Sequence, residues 1–341
     1  METKHFNNQN TDIEAAAKLL QQGEVVGFPT ETVYGLGADA TNDEAVKKVF
    51  AAKGRPADNP LIMTVGNIVQ LTPYVEISDK AKSLMTAFWP GSLTIILPIK
   101  EGQVSMLVTG GLQTAAVRMP ANEVTRTLIK EAGFPIVGPS ANLSGKPSPT
   151  TAAHVQHDMD GKVAGIIDDG PTQVGVESTV IDMTAKTPTI LRTGAVSQED
   201  LAKVLGEEVV DGTSKKALAA DQTPKAPGMK YRHYAPDKDV FVFDPLDWFD
   251  LQEVLTEHDA VMADEDLLKN LKDKKQPSWS LGHNLNQASE NLFAGLRYFD
   301  DEQKIDRIYV QSMPDMGLGK AYNNRLAKAS GGRLFQGLDR D

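Results

Sequence analysis

Between residues 12 and 22 the apolar positions Ile13, Ala16, Ala17 and Leu20 recur at helical spacing, and Gly23 marks the stop. Glu24–Phe28 follows as a short apolar run ended by Pro29, which predicts a strand. Thr41-Asn-Asp-Glu44 has the spacing of a capping box. It predicts a helix turning Val46, Val49 and Phe50 inward and Lys47 and Lys48 outward as far as Gly54. Apolar runs at Leu61–Val65, Leu93–Leu97, Ala115–Met119, Ile136–Gly138, Val163–Ile167, Ser178–Asp182 and Thr189–Leu191 predict further strands. Helical stretches around 78–88 and 122–132 lie between them. Strands interleaved with helices predict an α/β layered domain over residues 10–205, with hairpin-like neighbours late in the run.

The texture then changes. Residues 206–238 hold Pro224, Pro227, Pro236, Gly212 and Gly228, with few aliphatic residues after Leu218, and read as a linker. Its end, Pro227-Gly-Met-Lys-Tyr-Arg-His-Tyr-Ala-Pro236, interleaves tyrosines with cations in a way suited to closing over a nucleotide. Beyond it, strands at Val240–Phe243, Ala260–Met262 and Ile308–Val310 alternate with helices at 246–257 and 285–298. A last helix is expected over Ala321–Ala329. Residues 239–341 therefore predict a second, smaller α/β domain of Rossmann-like kind.

Composition narrows the chemistry. The 341 residues suffice for two domains with cores of their own. There is no cysteine, which excludes disulfides, a thiolate nucleophile and cysteine-ligated zinc. No run approaches the roughly 18 apolar residues of a membrane span, and the polar first residues do not resemble a secretory signal, so a cytoplasmic location is expected. The net charge of −11 is shared by both halves. Stable nucleic-acid binding usually shows as a basic face, so none is expected; an RNA-binding module without catalysis is the alternative reading.

The candidate chemistry sits after strands, where ligands of open α/β sheets bind. Phe28-Pro-Thr-Glu-Thr-Val-Tyr-Gly-Leu-Gly37 offers threonines and backbone N–H groups, either for a ligand or as a capped turn. Lys53-Gly-Arg-Pro-Ala-Asp-Asn-Pro60 places two cations and an amide in a stiff loop suited to a triphosphate. Arg118 lies inside an apolar run and needs a partner, which is a structural carboxylate or a ligand's. Ile136-Val-Gly-Pro-Ser-Ala-Asn142, Val176-Glu-Ser-Thr179 and Arg192-Thr193 repeat the pattern of a strand followed by polar residues, which suggests one shared pocket. The Walker A pattern is absent, and Gly35-Leu-Gly37 fits the dinucleotide fingerprint poorly because it lies seven residues past the strand end.

Taken in order, Phe28–Gly37, Lys53-Gly-Arg55, Asn59-Pro60-Leu61, Trp89-Pro90-Gly91, Val117-Arg-Met-Pro120, Pro139-Ser-Ala-Asn142 and Glu177-Ser-Thr179 resemble the YrdC-type threonylcarbamoyl-AMP synthases. Pro227–Pro236 resembles the linker of the two-domain, Sua-type members. The resemblance implies a twisted mixed sheet with a large positive cavity. It also implies an activity: L-threonine, bicarbonate and ATP, with Mg2+, give L-threonylcarbamoyl-AMP and pyrophosphate. The product then serves a separate tRNA threonylcarbamoyl transferase complex. Carried over by position, Lys53 and Arg55 resemble the catalytic phosphate-binding residues. Arg55, Asn59, Thr114, Ser140, Ser148, Arg192 and Tyr231 resemble ATP contacts, and Thr32, Thr64, Arg118, Gly138 and Ser178 resemble threonine contacts. Thr64 departs from the pattern, standing where relatives often carry histidine, and at Gly138 only the backbone can serve.

Overall fold

A computed structural model describes residues 2–213, 224–226 and 233–336. The chain forms two compact units. The first comprises residues 1–144, 149–173 and 177–231; the second comprises 145–148, 174–176 and 232–341.

The first unit is built on β1 (Lys4–Phe6), β2 (Val26–Phe28), β3 (Gly35–Asp39), β4 (Ile62–Thr64), β5 (Leu93–Pro98), β6 (Thr114–Arg118), β7 (Ile136–Val137), β8 (Gly165–Ile167), β9 (Thr179–Asp182), β10 (Thr189–Arg192) and β11 (Val210–Asp211). They make one mixed sheet in the order β1-β8-β2-β3-β7-β4-β6-β5-β9-β10-β11. Side chains alternate between its faces. On one face Leu93, Ile95, Leu97, Ala115, Val117, Met63 and Ile181 join a core with Val46, Val49, Leu84 and Met85 from the helices Asp43–Lys53 and Asp79–Phe88. On the other face the helices Asn10–Gln21 and Glu123–Ala132 pack through Ile13, Ala17, Leu20, Leu128 and Ile129 on Val26, Phe28, Ile136 and Ile167. Their cover belongs to the β8-β2-β3-β7 half of the sheet. Along β4, β6, β5 and β9 the same face carries Ile62, Ala116, Ile96 and Val180, which pack with the linker residue Ala226.

Three local readings are corrected. Thr41 does not open a capping box: Asn42 is the N-cap, accepting from the Glu44 and Ala45 N–H groups, while Thr41 Oγ1 donates to Asp39 at 2.7 Å. Gly35–Asp39 is a strand, antiparallel to β2. The helix expected at 246–257 is a 3-10 turn, Pro245–Asp247, capped by Asp244, followed by a short helix, Trp248–Val254.

The second unit holds β12 (Asp239–Phe243), β13 (Asp259–Ala263), β14 (Ser278–Ser280) and β15 (Arg307–Gln311) in an all-parallel sheet ordered β12-β15-β13-β14. The helix Leu285–Asp301 buries Leu292, Phe293, Leu296 and Phe299, and Leu318–Ser330 buries Ala321, Tyr322 and Leu326. Tyr234 enters this unit in the left-handed region (φ 67°), stacked on Phe293 at 5.3 Å, with Arg325 and Lys328 within about 6 Å of its ring. A non-glycine residue holds that conformation only where packing over-determines it, and Tyr234 is 4% exposed.

Candidate active site

Strand pairing decides which polar side chains share the face left without helices. Thr64 pairs with Arg118 across β4 and β6, and Ile96 with Ala116 across β5 and β6. Thr94 pairs with Val180 across β5 and β9, and Val180 with Arg192 across β9 and β10. Partnered residues point the same way, so Thr64, Arg118, Thr94 and Arg192 stand around the apolar floor of Ile62, Ile96, Ala116 and Val180. Thr114 occupies the same face two pairs along β6 from Arg118. Ser178, immediately before β9, bonds Thr94 hydroxyl to hydroxyl at 2.8 Å. Arg192 donates to the Ser178 carbonyl at 3.0 Å and to its hydroxyl at 3.1 Å.

Arg118 is 8% exposed and ion-paired with Glu31 at 2.7 Å. It also donates to Thr32 Oγ1 at 2.9 Å and to the Gly91 carbonyl at 3.2 Å. Of the two partners the sequence leaves open, the structural carboxylate is therefore present. Thr32 is held in turn by Thr30, whose hydroxyl lies 2.9 Å away and donates to the Val33 carbonyl. The β2–β3 loop is thus an ST-type turn closed by Thr30, while Thr32 also accepts from Arg118. Below it Tyr34 donates to the Gly170 carbonyl at 2.7 Å, and burial pushes its phenol well above the usual tyrosine range.

The loop after β7 brings in the remaining residues. Gly138, just past β7, donates to the Ile62 carbonyl at 2.8 Å and lies against Thr64; a Cβ there would collide with the Thr64 hydroxyl and crowd the Phe28 ring. Lys53, 2% exposed at the end of its helix, donates to the carbonyls of Ser140 and Asn142, the latter at 2.6 Å. Ser140 bonds the Asn142 side chain at 2.6 Å. Arg55 donates to the Pro60 carbonyl at 3.0 Å and the Asn59 carbonyl at 3.4 Å, which shapes the loop between them. Asn59 is buried, and its Oδ1 has no hydrogen-bond partner among the described residues. Such an orphaned acceptor is costly unless a ligand or ion completes it.

The sequence-derived residues thus fall into a buried arginine cluster (Thr32, Thr64, Arg118, Gly138, Ser178, Arg192) and a lysine–arginine loop system (Lys53, Arg55, Asn59, Ser140). Ser148 is fully buried and belongs to the second unit, and Tyr231 lies outside the described residues. Sequence reasoning missed Glu31, Thr94 and Asp182. A signal existed for Thr94, a hydroxyl inside the apolar run Leu93–Leu97. Asp182, 2% exposed, receives the linker's Lys225 at 3.0 Å. Among the described residues no group of carboxylates and histidines is placed to hold a metal ion on its own, and no helix is long and apolar enough to cross a membrane.

With this geometry in hand, the likenesses are informative. Residues 18–194 match the family described as Telomere recombination, which groups the Sua5, YciO and YrdC proteins. Residues 196–331 match the threonylcarbamoyl-AMP synthase C-terminal domain. The chain is 44% identical to a threonylcarbamoyl-AMP synthase of Bacillus subtilis, over 98% of this chain and 97% of that one. It is 44% identical to the Pyrococcus abyssi enzyme of the same name, over 95% of both chains. The crystal structure of P. abyssi Sua5 complexed with L-threonine superposes with a TM-score of 0.90 at 42% identity, covering 98% of this chain and 99% of the other.

Proposed function

Because the chain belongs to the threonylcarbamoyl-AMP synthase family over its whole length, we propose a division of labour among its residues for the reaction that family name denotes. The chain is an enzyme: it consumes ATP and threonine and transfers a nucleotidyl group to a threonine-derived carboxylate. The observation that carries the residue assignment is the buried guanidinium of Arg118 on the open half of the sheet, beside Thr32 and Thr64. Bound L-threonine in the P. abyssi relative, similar over nearly the full chain, supports reading this cluster as the amino-acid site.

In this reading the threonine carboxylate binds Arg118, and Thr32, Thr64 and Ser178 orient its amine and hydroxyl. Gly138, whose Cβ position is taken by the Thr64 hydroxyl, can serve only through its backbone. The amine nitrogen forms a bond to the carbon of bicarbonate-derived carbon dioxide and gives up its proton, leaving a carbamate. A carbamate oxygen then attacks the α-phosphorus; the bond to the bridging oxygen breaks, and pyrophosphate leaves with the electron pair. Such a step needs positioning and charge stabilisation rather than a protein nucleophile. Lys53 and Arg55 supply positive charge to the phosphates, and Thr114, Ser140 and Arg192 add nucleotide contacts. Mg2+ entering with ATP would neutralise charge on the leaving pyrophosphate. The orphaned Asn59 Oδ1 is a hard oxygen donor that suits the ion or its water. The product, a reactive mixed anhydride, passes to a tRNA threonylcarbamoyl transferase in the cytoplasm.

Pyrophosphate release from ATP with Mg2+ and bicarbonate, measured with each of the twenty amino acids, tests the reading. Release that requires threonine and bicarbonate together is expected. Lys53→Ala is expected to lower it by roughly two orders of magnitude or more, as removal of a charge-stabilising donor does. Full activity in that variant overturns the role given to Lys53.

A further inference from the structure

Arg118 carries five N–H donors, and three are already committed. Nε serves the Gly91 carbonyl at 3.2 Å, Nη1 serves Thr32 Oγ1 at 2.9 Å and Nη2 serves Glu31 Oε1 at 2.7 Å. One N–H remains on each terminal nitrogen, and a carboxylate accepts two such groups as a fork where they share an edge. Glu31 is itself clamped. Its Oε1 also accepts from Ser92 Oγ at 3.0 Å, its Oε2 accepts from the Ala121 N–H at 3.1 Å, and its carbonyl accepts from Gln173 N–H at 3.1 Å. Both members of the pair are less than a tenth exposed. Ser92 stands one residue after Gly91, and Ala121 stands three residues after Arg118. The carboxylate thus ties together the same two segments that carry the guanidinium and its third acceptor.

We propose that Glu31 is a positioning residue for the amino-acid substrate. It fixes the rotation of the Arg118 guanidinium so that one N–H of each terminal nitrogen faces the threonine carboxylate. It also neutralises Arg118 while the pocket is empty, so that a second carboxylate is accepted by directed hydrogen bonds rather than by bulk charge. The proposal rests on Arg118 being the carboxylate site. Glu31 touches neither ATP nor the reacting atoms, and its effect is confined to threonine.

The test separates the substrates. In Glu31→Gln the amide NH2 has to face either the Arg118 donor or the Ala121 N–H, so the clamp cannot be kept whole. KM for threonine is expected to rise at least tenfold, with KM for ATP and kcat at saturating threonine within threefold of the parent. Ser92→Ala, which removes one donor from Glu31 and leaves its charge in place, is expected to shift threonine KM in the same direction by about threefold and carries the test if the first variant does not fold. Arg118→Lys, run alongside, isolates the underlying reading: it raises threonine KM steeply if Arg118 is the carboxylate site. A rise there with no change in a folded Glu31→Gln, or in Ser92→Ala where that variant stands alone, overturns the positioning role and leaves the site intact. No rise in Arg118→Lys overturns both. Equal increases for ATP and threonine in Glu31→Gln reduce Glu31 to a general structural residue and also overturn the proposal.

Discussion

Arg192 grips Ser178 twice, at the carbonyl with Nε and at the hydroxyl with Nη2. Under the proposed division of labour Arg192 serves ATP and Ser178 serves threonine, and on that reading this one buried hydrogen-bonded unit belongs to both substrates. Lysine cannot reproduce a two-point grip. Arg192→Lys is therefore expected to raise KM for both substrates, by about tenfold for ATP and less for threonine. Ser178→Ala is expected to do the reverse. Combined, the two changes should cost less than the product of the single effects, because both remove the same contact. Steady-state kinetics on the three variants checks this, and strict multiplicativity would show the residues to be independent.

Gly138 has no space for a side chain. A methyl group there meets Thr64 Oγ1 and the Phe28 ring, both on buried strands. Gly138→Ala should destabilise the protein by about 1–3 kcal/mol, as overpacking does, and should weaken threonine binding. Adding Thr64→Ala removes the colliding hydroxyl and should restore much of the stability but not the affinity. Thermal melts with threonine titrations distinguish the two.

The cover over the open half of the sheet is testable apart from its floor. Ala226 is fully buried on Ile62, Ile96, Ala116 and Val180, and its neighbour Lys225 reaches Asp182. Ala226→Asp would place a charge on that floor, which displaces the segment. Activity should fall at least tenfold while the melting temperature stays close to the parent's. Lys225→Met takes a half-exposed lysine away from the buried Asp182, which keeps its bonds from Thr184, and should cost about 1–3 kcal/mol.

Alkaline stability follows from two buried phenols. Burial raises Tyr34 in the first unit and Tyr322 in the second far above the usual tyrosine range. The unfolded chain releases these protons near pH ~10 and the folded chain does not. Their contribution is therefore complete below that pH and is lost as pH rises beyond it toward the folded values. Melting temperature should decline above about pH 10. Tyr34→Phe should flatten part of that decline while costing about 1–2 kcal/mol at neutral pH through the lost bonds to Gly170 and Asp169.

Elements with runs of apolar residues were legible in the sequence because alternation and helical spacing are local. Strand β3 was not. Gly35-Leu-Gly-Ala-Asp39 looks like a turn, and it is a strand through its pairing with β2 and β7, its glycines leaving the space that the Phe28 ring fills. The two-residue strand β11 is shorter than any period. Arg118 announced itself as a cation in an apolar run. Glu31 did not, because its side-chain partners lie 61, 87 and 90 residues away, at Ser92, Arg118 and Ala121.

The strand order has a consequence for how the protein is made. Among the described residues, 4–6 pair with 165–167 alone, and β2 needs the same strand on its outer side. The face bearing the arginine cluster waits for Arg192, and its cover waits for residues 224–226. A ribosome must therefore make residues up to 167, roughly half of the 341, before β1 and the outer edge of β2 find their neighbour. Until then β2 has an open edge, and contacts this distant in sequence form slowly. Nascent chains halted before residue 165 should behave as sticky, protease-sensitive intermediates. Engagement by general chaperones during synthesis follows from that topology, without any weakness in the finished fold.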